Sequence, residues 1–170
     1  MKAKKVLPLK RRREGKTNYK RRLGLLKSGK PRVVIRKSNK YINLQLVEFD
    51  LKNFKEITKF SFISKKLENF GWSYSKNNLP ACYLSGLAFG LMCKKNNIVE
   101  GVLDIGTSRV TKGNRIFSAL LGCIDAGLKI PHSEKNLPSE ERIKGSHISE
   151  EIVEKFEEVK QKIMDYYGRG

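Results

Sequence analysis

The sequence predicts an α/β protein in which helices pack on a small mixed β-sheet, with a basic N-terminal extension and a C-terminal helix. Three strand-like segments come first, between residues 32 and 63. A helix, a fourth strand and a second helix follow, between residues 80 and 128. Strands joined by short turns are antiparallel, whereas a strand that follows a helical crossover runs parallel to an earlier one. This order of elements therefore predicts a mixed sheet.

Charge divides the 170-residue chain, whose net charge is +19. Residues 1–40 contain 17 basic and one acidic residue, residues 41–128 contain 11 and 7, and residues 129–170 contain 8 and 9. We predict a basic N-terminal extension with a short helix (1–30), an α/β core domain (31–130), and a polar loop with a C-terminal helix (131–170). The excess charge in the first quarter indicates a polyanionic partner, either nucleic acid or an anionic membrane surface.

A membrane is the weaker of these two partners. The longest uncharged apolar stretch, Leu79–Cys93, is 15 residues long, and a spanning helix needs about 20. The basic N-terminus is not followed by the apolar run of a signal peptide. It also lacks the apolar face that an interfacial helix inserts into lipid. We expect a cytoplasmic protein with no membrane partner.

The N-terminal extension lacks apolar periodicity in residues 1–16, which are expected to be disordered on their own because they bury too little surface. Thr17 is predicted to cap a short helix that ends near Gly29. Its apolar face is predicted to consist of Tyr19, Leu23 and Leu26.

The first two strands are predicted at Arg32–Lys37 and Tyr41–Phe49, joined by a tight turn at residues 38–40. Apolar and polar residues alternate in the second strand, as in a sheet with one covered face. A third strand near Phe54–Ile63 completes a meander, and one or two helical turns follow from Ser64.

The next helix is predicted from Pro80 to about Lys95, and its apolar residues lie almost all round it, so it should be buried. Gly86 and Gly90 are four residues apart, which predicts close packing, most simply against the sheet. The segment NIVEGVLDIG (97–106) is predicted to be a fourth strand beside the first or the third, and apolar enough to be central.

Two further helices are predicted, separated by a polar loop at residues 129–148. The first, within GNRIFSALLGCIDAGL (113–128), should place Ile116, Phe117, Leu120, Leu121 and Ile124 inward. The second begins at Ser149, and its apolar stripe is Ile152, Phe156, Val159 and Ile163.

The sequence contains no recognisable constellation for metal binding, cofactor binding or catalysis. Three cysteines, Cys82, Cys93 and Cys123, are odd in number and widely spaced within apolar runs, so buried thiols are expected. The loop DIGTSRVTKGNR (104–115) follows a strand, but its glycines do not have the spacing of a nucleotide-binding loop. His132 and His147 have no partners at ligand spacing.

RNA binding fits the sequence better, through three basic sites. The N-terminal site consists of Arg11, Arg12, Arg13, Lys16, Thr17, Tyr19, Arg21 and Arg22. The turn site consists of Arg36, Lys37, Ser38, Asn39 and Lys40, with Arg32 on the same strand. The loop site consists of Arg109, Lys112, Asn114 and Arg115. Their cations would neutralise phosphates and release counterions. A solvated cluster remains the alternative for each site, and the ring of Tyr19 either stacks on a base or packs against the protein.

Four sequence blocks also resemble one protein family: RRREGKTNYKRRLGLLKSGKPRVVIRKSNKYINLQLV, GWSYSKNNLPACYLSGLAFG, VLDIGTSRVTKGNRIFSALLGCIDAGLKIPHSE and PSEERIKGSHI. In this order they resemble the large-subunit ribosomal proteins that carry 5S rRNA, number eighteen in the universal nomenclature and number five in the eukaryotic one. IPHSE and EERIKGSHI are shared with eukaryotic members, and the chain is most similar to the archaeal type.

The resemblance implies a ribonuclease-H-like core without catalysis and a location on the cytoplasmic ribosome. The implied partners are 5S rRNA, large-subunit rRNA and neighbouring ribosomal proteins, including the universal fifth family. Asn18 departs from the family pattern, where an acidic residue is commoner, and so do the cysteines. Two alternatives stay open: an active ribonuclease-H-like enzyme using Asp50, Asp104 and Asp125, and a general basic nucleic-acid binder.

Overall fold

The computed structural model describes residues 7–168, and its elements follow the predicted order. The helices are α1 (Lys10–Arg13), α2 (Tyr19–Lys27), α3 (Leu79–Lys95), α4 (Arg115–Asp125), α5 (Glu140–Lys144) and α6 (Glu150–Gly168). The strands are β1 (Arg32–Lys37), β2 (Ile42–Asp50), β3 (Lys55–Ile63) and β4 (Val102–Asp104). Short 3-10 helices lie at Ser64–Phe70 and Glu134–Asn136.

The four strands form one mixed sheet in the order β3-β2-β1-β4. β1 pairs with β2 and β2 with β3 in antiparallel fashion, whereas β1 and β4 are parallel, which places Val34 beside both Gln45 and Asp104. The predicted α/β class with a mixed sheet is therefore confirmed, and the fourth strand lies beside the first. Because β1 and β4 are parallel, the segments that follow both strands emerge at the same end of the sheet.

The two faces of the sheet differ in chemistry because side chains alternate along each strand. The inner face is apolar, with Val33, Ile35, Leu44, Leu46 and Phe62 fully buried under the helices. α3 covers β2 and β3 on this face, and α4 covers β1. The outer face carries the intervening side chains, which are mostly polar but include Val34 and Val47, and it is the face that the N-terminal segment approaches.

The two central helices cross at a point where each contributes a glycine. A Cβ on Gly86 would lie 1.9 Å from the carbonyl oxygen of Ala119, and one on Gly122 would lie 2.2 Å from that of Tyr83. A Cβ on Gly90 would lie 2.6 Å from the Cβ of Ala126. The glycines thus serve close packing of α3 on α4, and the prediction that they pack against the sheet is wrong.

Two other predictions need correction. β4 is not central: it has three residues and lies at the edge of the sheet, where a parallel bridge between Glu100 and Lys129 continues the edge. The predicted polar loop at 129–148 contains the short helix α5, which ends at Gly145 with φ +87° and buries Ile143. Ile143, together with Ile130 and Leu137, anchors this segment on the apolar core.

The C-terminal helix agrees with the predicted stripe, since the buried residues of α6 are Ile152, Phe156, Val159 and Ile163. They join the same apolar core as α3 and α4. The three cysteines are buried thiols in that core, as expected. Burial raises the pKa of Cys82 and Cys93 to about 12 and raises the pKa of Cys123 as well, so none of the three is a thiolate at neutral pH.

The start of the N-terminal extension, residues 1–6, lies outside the described residues. Lys10–Arg13 form a helical turn, and every residue from 7 to 16 is exposed. The expectation that residues 1–16 are disordered on their own stays a prediction. Asn18, not Thr17, caps α2, because its side chain accepts the N–H of Arg21 at 3.0 Å. An aspartate could make the same bond, so the departure at this position preserves the cap. Leu23 is 55% exposed rather than part of the inward face.

Candidate nucleic-acid interface

A polar cleft of about 610 Å³ lies between α2, the outer face of the sheet and the loop after β4. The outer face contributes side chains from β1, β2 and β3, including Arg32, Arg36, Gln45 and Thr58. The N-terminal segment contributes its own arginines from the other side. The lining residues predicted to bind RNA are Arg11, Lys16, Thr17, Arg21, Arg22, Arg32 and Arg36. The structure therefore gathers much of the N-terminal site and two β1 arginines around one cavity.

Ion pairs cross the floor of this cleft. Arg32 is only 5% exposed, and its guanidinium donates to Asp104 Oδ2 at 2.8 Å and to Glu56 Oε1. Glu56 also binds Arg22 of α2, whose Nε donates to Oε1 at 3.1 Å. A buried guanidinium requires paired acceptors because desolvation of a lone charge is destabilising. Both hydrogen-bonding ends of Arg32 are therefore occupied inside the protein.

Asp104, at the end of β4, is the second carboxylate of this floor. Arg36 donates to its Oδ1 at 3.1 Å and to its backbone oxygen at 2.6 Å, and the N–H of Gly106 donates to Oδ1 at 2.8 Å. Burial acts to raise the pKa of Asp104, but the Gly106 N–H and the guanidiniums of Arg36 and Arg32 outweigh it, so the pKa lies below the usual value. Asp104 is thus a carboxylate at neutral pH that fixes two arginines and a loop.

The N-terminal site borders the same carboxylate-anchored loop. Arg21 Nη1 lies 3.5 Å from the carbonyl oxygen of Gly106, and Arg11 Nε donates to Thr17 Oγ1 at 3.0 Å. Arg12 and Tyr19 line a smaller adjoining hollow together with Thr107. Tyr19 is half-buried, so its ring packs partly against the protein and is partly open for stacking on a base. Arg13 is exposed on α1.

The turn site spans the end of β1 and the turn that follows it, and Asn77 holds the turn from outside the hairpin. The Asn77 side-chain amide donates to the carbonyl oxygens of Ser38 and Asn39, at 2.8 and 2.9 Å. Lys37 and Lys40 are exposed on either side of these two residues. Sequence reasoning missed Asn77. The signal at this position is an Asn-Asn pair before a helix, which does not by itself indicate a role in the turn.

The loop site lies next to the turn site, since Arg115 Nη1 donates to the carbonyl oxygen of Asn77 at 3.3 Å. Arg115 and Asn114 lie at the start of α4, where backbone N–H groups favour anions. Arg109 and Lys112 are exposed on the loop between β4 and α4. The parallel pairing of β1 with β4 is what brings these two sites, far apart in the chain, to one end of the sheet.

The carboxylates proposed for an enzyme are each occupied elsewhere. Asp50 accepts from Asn53 and Lys52 in the β2–β3 connection, and Asp125 accepts the hydroxyl of Tyr83 at 2.6 Å at the end of α4. Asp104 is held by arginines, as described above. Among residues 7–168, histidines, cysteines and carboxylates do not form a group of three that could hold a metal ion.

No helix within the described range combines the length and apolar character needed to traverse a bilayer. The fold and the site define a basic α/β protein whose arginines surround a surface cleft. A family model described as "Ribosomal large subunit proteins 60S L5, and 50S L18" matches residues 4–100 and 91–133. The chain belongs to this family of large-subunit ribosomal proteins, and its role is structural rather than enzymatic.

Several relatives carry the name large ribosomal subunit protein uL18. The protein from Korarchaeum cryptofilum is 47% identical over 163 residues, which cover 94% of this chain and 82% of the relative. The protein from Methanococcus maripaludis is 43% identical over 173 residues, with 100% and 89% covered, and that from Methanothrix thermoacetophila is 42% identical over 162 residues, with 93% and 95% covered. The prediction of an archaeal-type member is confirmed.

Proposed function

We propose that this protein binds 5S rRNA and helps to attach it to large-subunit rRNA, next to a ribosomal protein of the universal fifth family. The observation that carries the proposal is the arrangement of arginines around the cleft. The resemblance of the four sequence blocks to the ribosomal proteins that carry 5S rRNA supports it. RNA of defined shape presents phosphates at several fixed points, and the turn and loop sites lie at one end of the sheet that forms the cleft floor.

The charges favour a polyanion at this surface. Residues 1–40 contain 17 basic residues and one acidic residue, and the segment from Arg11 to Leu25 lines the cleft beside the outer face of the sheet. The acidic residues of the cleft, Glu56 and Asp104, are both bound by arginines. The other cations that line the cleft form no ion pair with these two carboxylates in the described structure. Each phosphate that they neutralise would release counterions.

The predicted RNA-binding residues do not all have the same role in this proposal. Arg32 is 5% exposed and paired with two carboxylates, so we assign it to holding Arg36 and the cleft floor in place. Arg36 keeps 43% of its side chain exposed, and the remaining predicted residues are exposed or half-buried. These side chains are the ones proposed to contact RNA.

Competition binding tests the proposal. Labelled 5S rRNA bound to the full chain is challenged with unlabelled 5S rRNA, an unrelated folded RNA of the same length and duplex DNA with the same number of phosphates, all at one fixed salt concentration. Preferential displacement by 5S rRNA is expected, because the protein is proposed to recognise the shape of this RNA. Binding through charge alone would not distinguish polyanions of equal charge. Equal displacement by all three competitors would support a general basic binder instead.

Deletion of residues 1–16 is predicted to leave the core folded and to weaken 5S rRNA binding. The deleted segment contains eight basic residues, and its described part, residues 7–16, has no buried side chain. Each lost phosphate contact should lower the magnitude of the log–log salt slope by about 0.7–0.9. Affinity measured across a salt series gives this slope, with circular dichroism as the folding control. An unchanged slope would show that the segment does not contact phosphates.

A further inference from the structure

The β1–β2 turn at Ser38–Lys40 has its peptide carbonyls turned towards the protein interior. The carbonyl oxygens of Ser38 and Asn39 both accept hydrogen bonds from the side-chain amide of Asn77. Peptide bonds among residues 7–168 are trans, and in a trans peptide the N–H points opposite to the C=O. The N–H groups of Asn39 and Lys40, which belong to those two peptides, therefore point away from Asn77.

Within residues 7–168, these two N–H groups have no hydrogen-bond acceptor. The β1–β2 ladder ends at the pair Lys37 and Ile42, and the turn is closed locally by bonds between Ser38 and Tyr41. Neither the Asn39 nor the Lys40 N–H donates to another group in the described part of the chain. Successive outward N–H groups form a concavity with positive potential, which binds anions. The ammonium groups of the two flanking lysines add to this potential.

Asn77 is poorly suited to a purely stabilising role. It is 6% exposed, and its Oδ1 is buried with no hydrogen-bond partner among the described residues. An unpaired buried oxygen is destabilising, which offsets the benefit of the two bonds that the amide donates. The two bonds do, however, fix the direction of both peptides. This combination indicates that the side chain positions the turn.

We infer that the β1–β2 turn is a phosphate-binding turn, whose Asn39 and Lys40 N–H groups are aimed at an RNA backbone phosphate by Asn77. The inference rests on the proposed function, because it takes RNA to be the ligand. Lys37 and Lys40 supply the charge, and Asn77 is a positioning residue that does not touch the phosphate. The bond from Arg115 to the Asn77 carbonyl ties the same segment to the loop site.

The experiment measures the affinity of the full chain for 5S rRNA in four proteins: the natural sequence, Asn77→Ala, Lys40→Ala and the double variant. Asn77→Ala is expected to lower the affinity about tenfold, as for loss of a charge-assisted hydrogen bond, and to lower the salt slope by about 0.7–0.9. Lys40→Ala should lower the affinity several-fold in the natural sequence. In the Asn77→Ala background it should lower the affinity by less than about twofold, because the phosphate contact at the turn is already lost there.

Two controls separate positioning from folding. Val159→Ala removes volume from a fully buried position on α6 and should lower stability without changing the affinity or the salt slope. Asn77→Ser, which keeps one donor, should have an effect between those of the natural side chain and alanine. Equal effects of Lys40→Ala in both backgrounds, or an Asn77→Ala protein that binds like Val159→Ala, would overturn the inference.

Failure of the proposed function would look different. In that case 5S rRNA and duplex DNA would compete equally for the natural protein, whereas the comparison of Lys40→Ala in two backgrounds would still report whether Asn77 acts through the turn. Coupling between the two residues with no preference for 5S rRNA would support the turn and overturn the proposed function.

Discussion

Replacing Gly86 with alanine is expected to lower the free energy of unfolding by about 3 kcal/mol or more, because the added methyl group has no room at the α3–α4 crossing. The new Cβ would lie 1.9 Å from the carbonyl oxygen and 2.7 Å from the carbonyl carbon of Ala119. Both are backbone atoms of a helix, so the two helices must separate. The higher helix propensity of alanine returns only about 1 kcal/mol.

Gly24→Ala is the matched control for this prediction. Gly24 lies inside α2, and a Cβ built on it has no heavy atom within 4 Å in the described structure. The same chemical change should therefore be neutral or stabilise the protein by up to about 1 kcal/mol. Urea unfolding followed by circular dichroism gives both values. Similar free energies for the two variants would show that the crossing accommodates a methyl group.

The sequence predicts the helices and strands well where periodicity alone decides them. The stripe of α6 is such a case, since the predicted residues are the buried ones. The place of β4 at the sheet edge was not predictable from its apolar residues, because edge or central position depends on which strands pair with it. Likewise, the spacing of Gly86 and Gly90 indicates close packing but does not identify the packing partner.

The site shows the same division. Basic residues are visible in the sequence, but their pairing is not, because the partners are distant in the chain. Arg32 is 24 residues from Glu56 and 72 residues from Asp104, and Asn77 is 38 residues from Asn39. The strand pairing of the sheet brings Arg32, Glu56 and Asp104 together. The segment that leads into α3 brings Asn77 to Asn39. A basic residue read from sequence can therefore serve either to contact RNA or to hold another residue in place.

Replacing Asp104 with asparagine is expected to lower the free energy of unfolding at pH 7 by about 3 kcal/mol, the cost of removing one charge from a buried pair. Arg32, with 6% of its side chain exposed, would keep only the shared carboxylate of Glu56. The NH2 group of the asparagine would also face a donor in either orientation: the guanidinium of Arg32 at the Oδ2 position, or Arg36 and the N–H of Gly106 at the Oδ1 position.

The stability difference between the two proteins should depend on pH in a definite direction. Since the pKa of Asp104 is lowered in the folded protein, its carboxylate stabilises the fold above the pKa of the unfolded chain. That contribution is lost as the pH falls through the lower, folded-state pKa. The difference should therefore be complete at pH 7 and shrink below about pH 4, where aspartate in the unfolded chain takes up a proton. Urea unfolding at a series of pH values measures it.

RNA binding by the Asp104→Asn protein separates two explanations of the cleft. If the cleft attracts RNA by charge alone, loss of one negative charge should strengthen binding to 5S rRNA and steepen its salt dependence. If Asp104 positions Arg36 and the Gly106 loop, as their bonds at 3.1 and 2.8 Å indicate, binding should weaken despite the more positive cleft. We expect weaker binding, by about tenfold, the effect of one misplaced charge-assisted contact.

Glu100→Gln is the control, because it removes the same charge from an exposed pair. The Glu100 side chain is 53% exposed and binds Lys30 at 2.7 Å, so its loss should change stability by less than about 1 kcal/mol. It should leave 5S rRNA binding equal or slightly stronger, through net charge alone. Both affinities are measured at pH 7, at a temperature where circular dichroism shows each variant folded. Tighter binding by both variants would mean that the arginines act as independent charges, and that Asp104 stabilises the fold without shaping the RNA site.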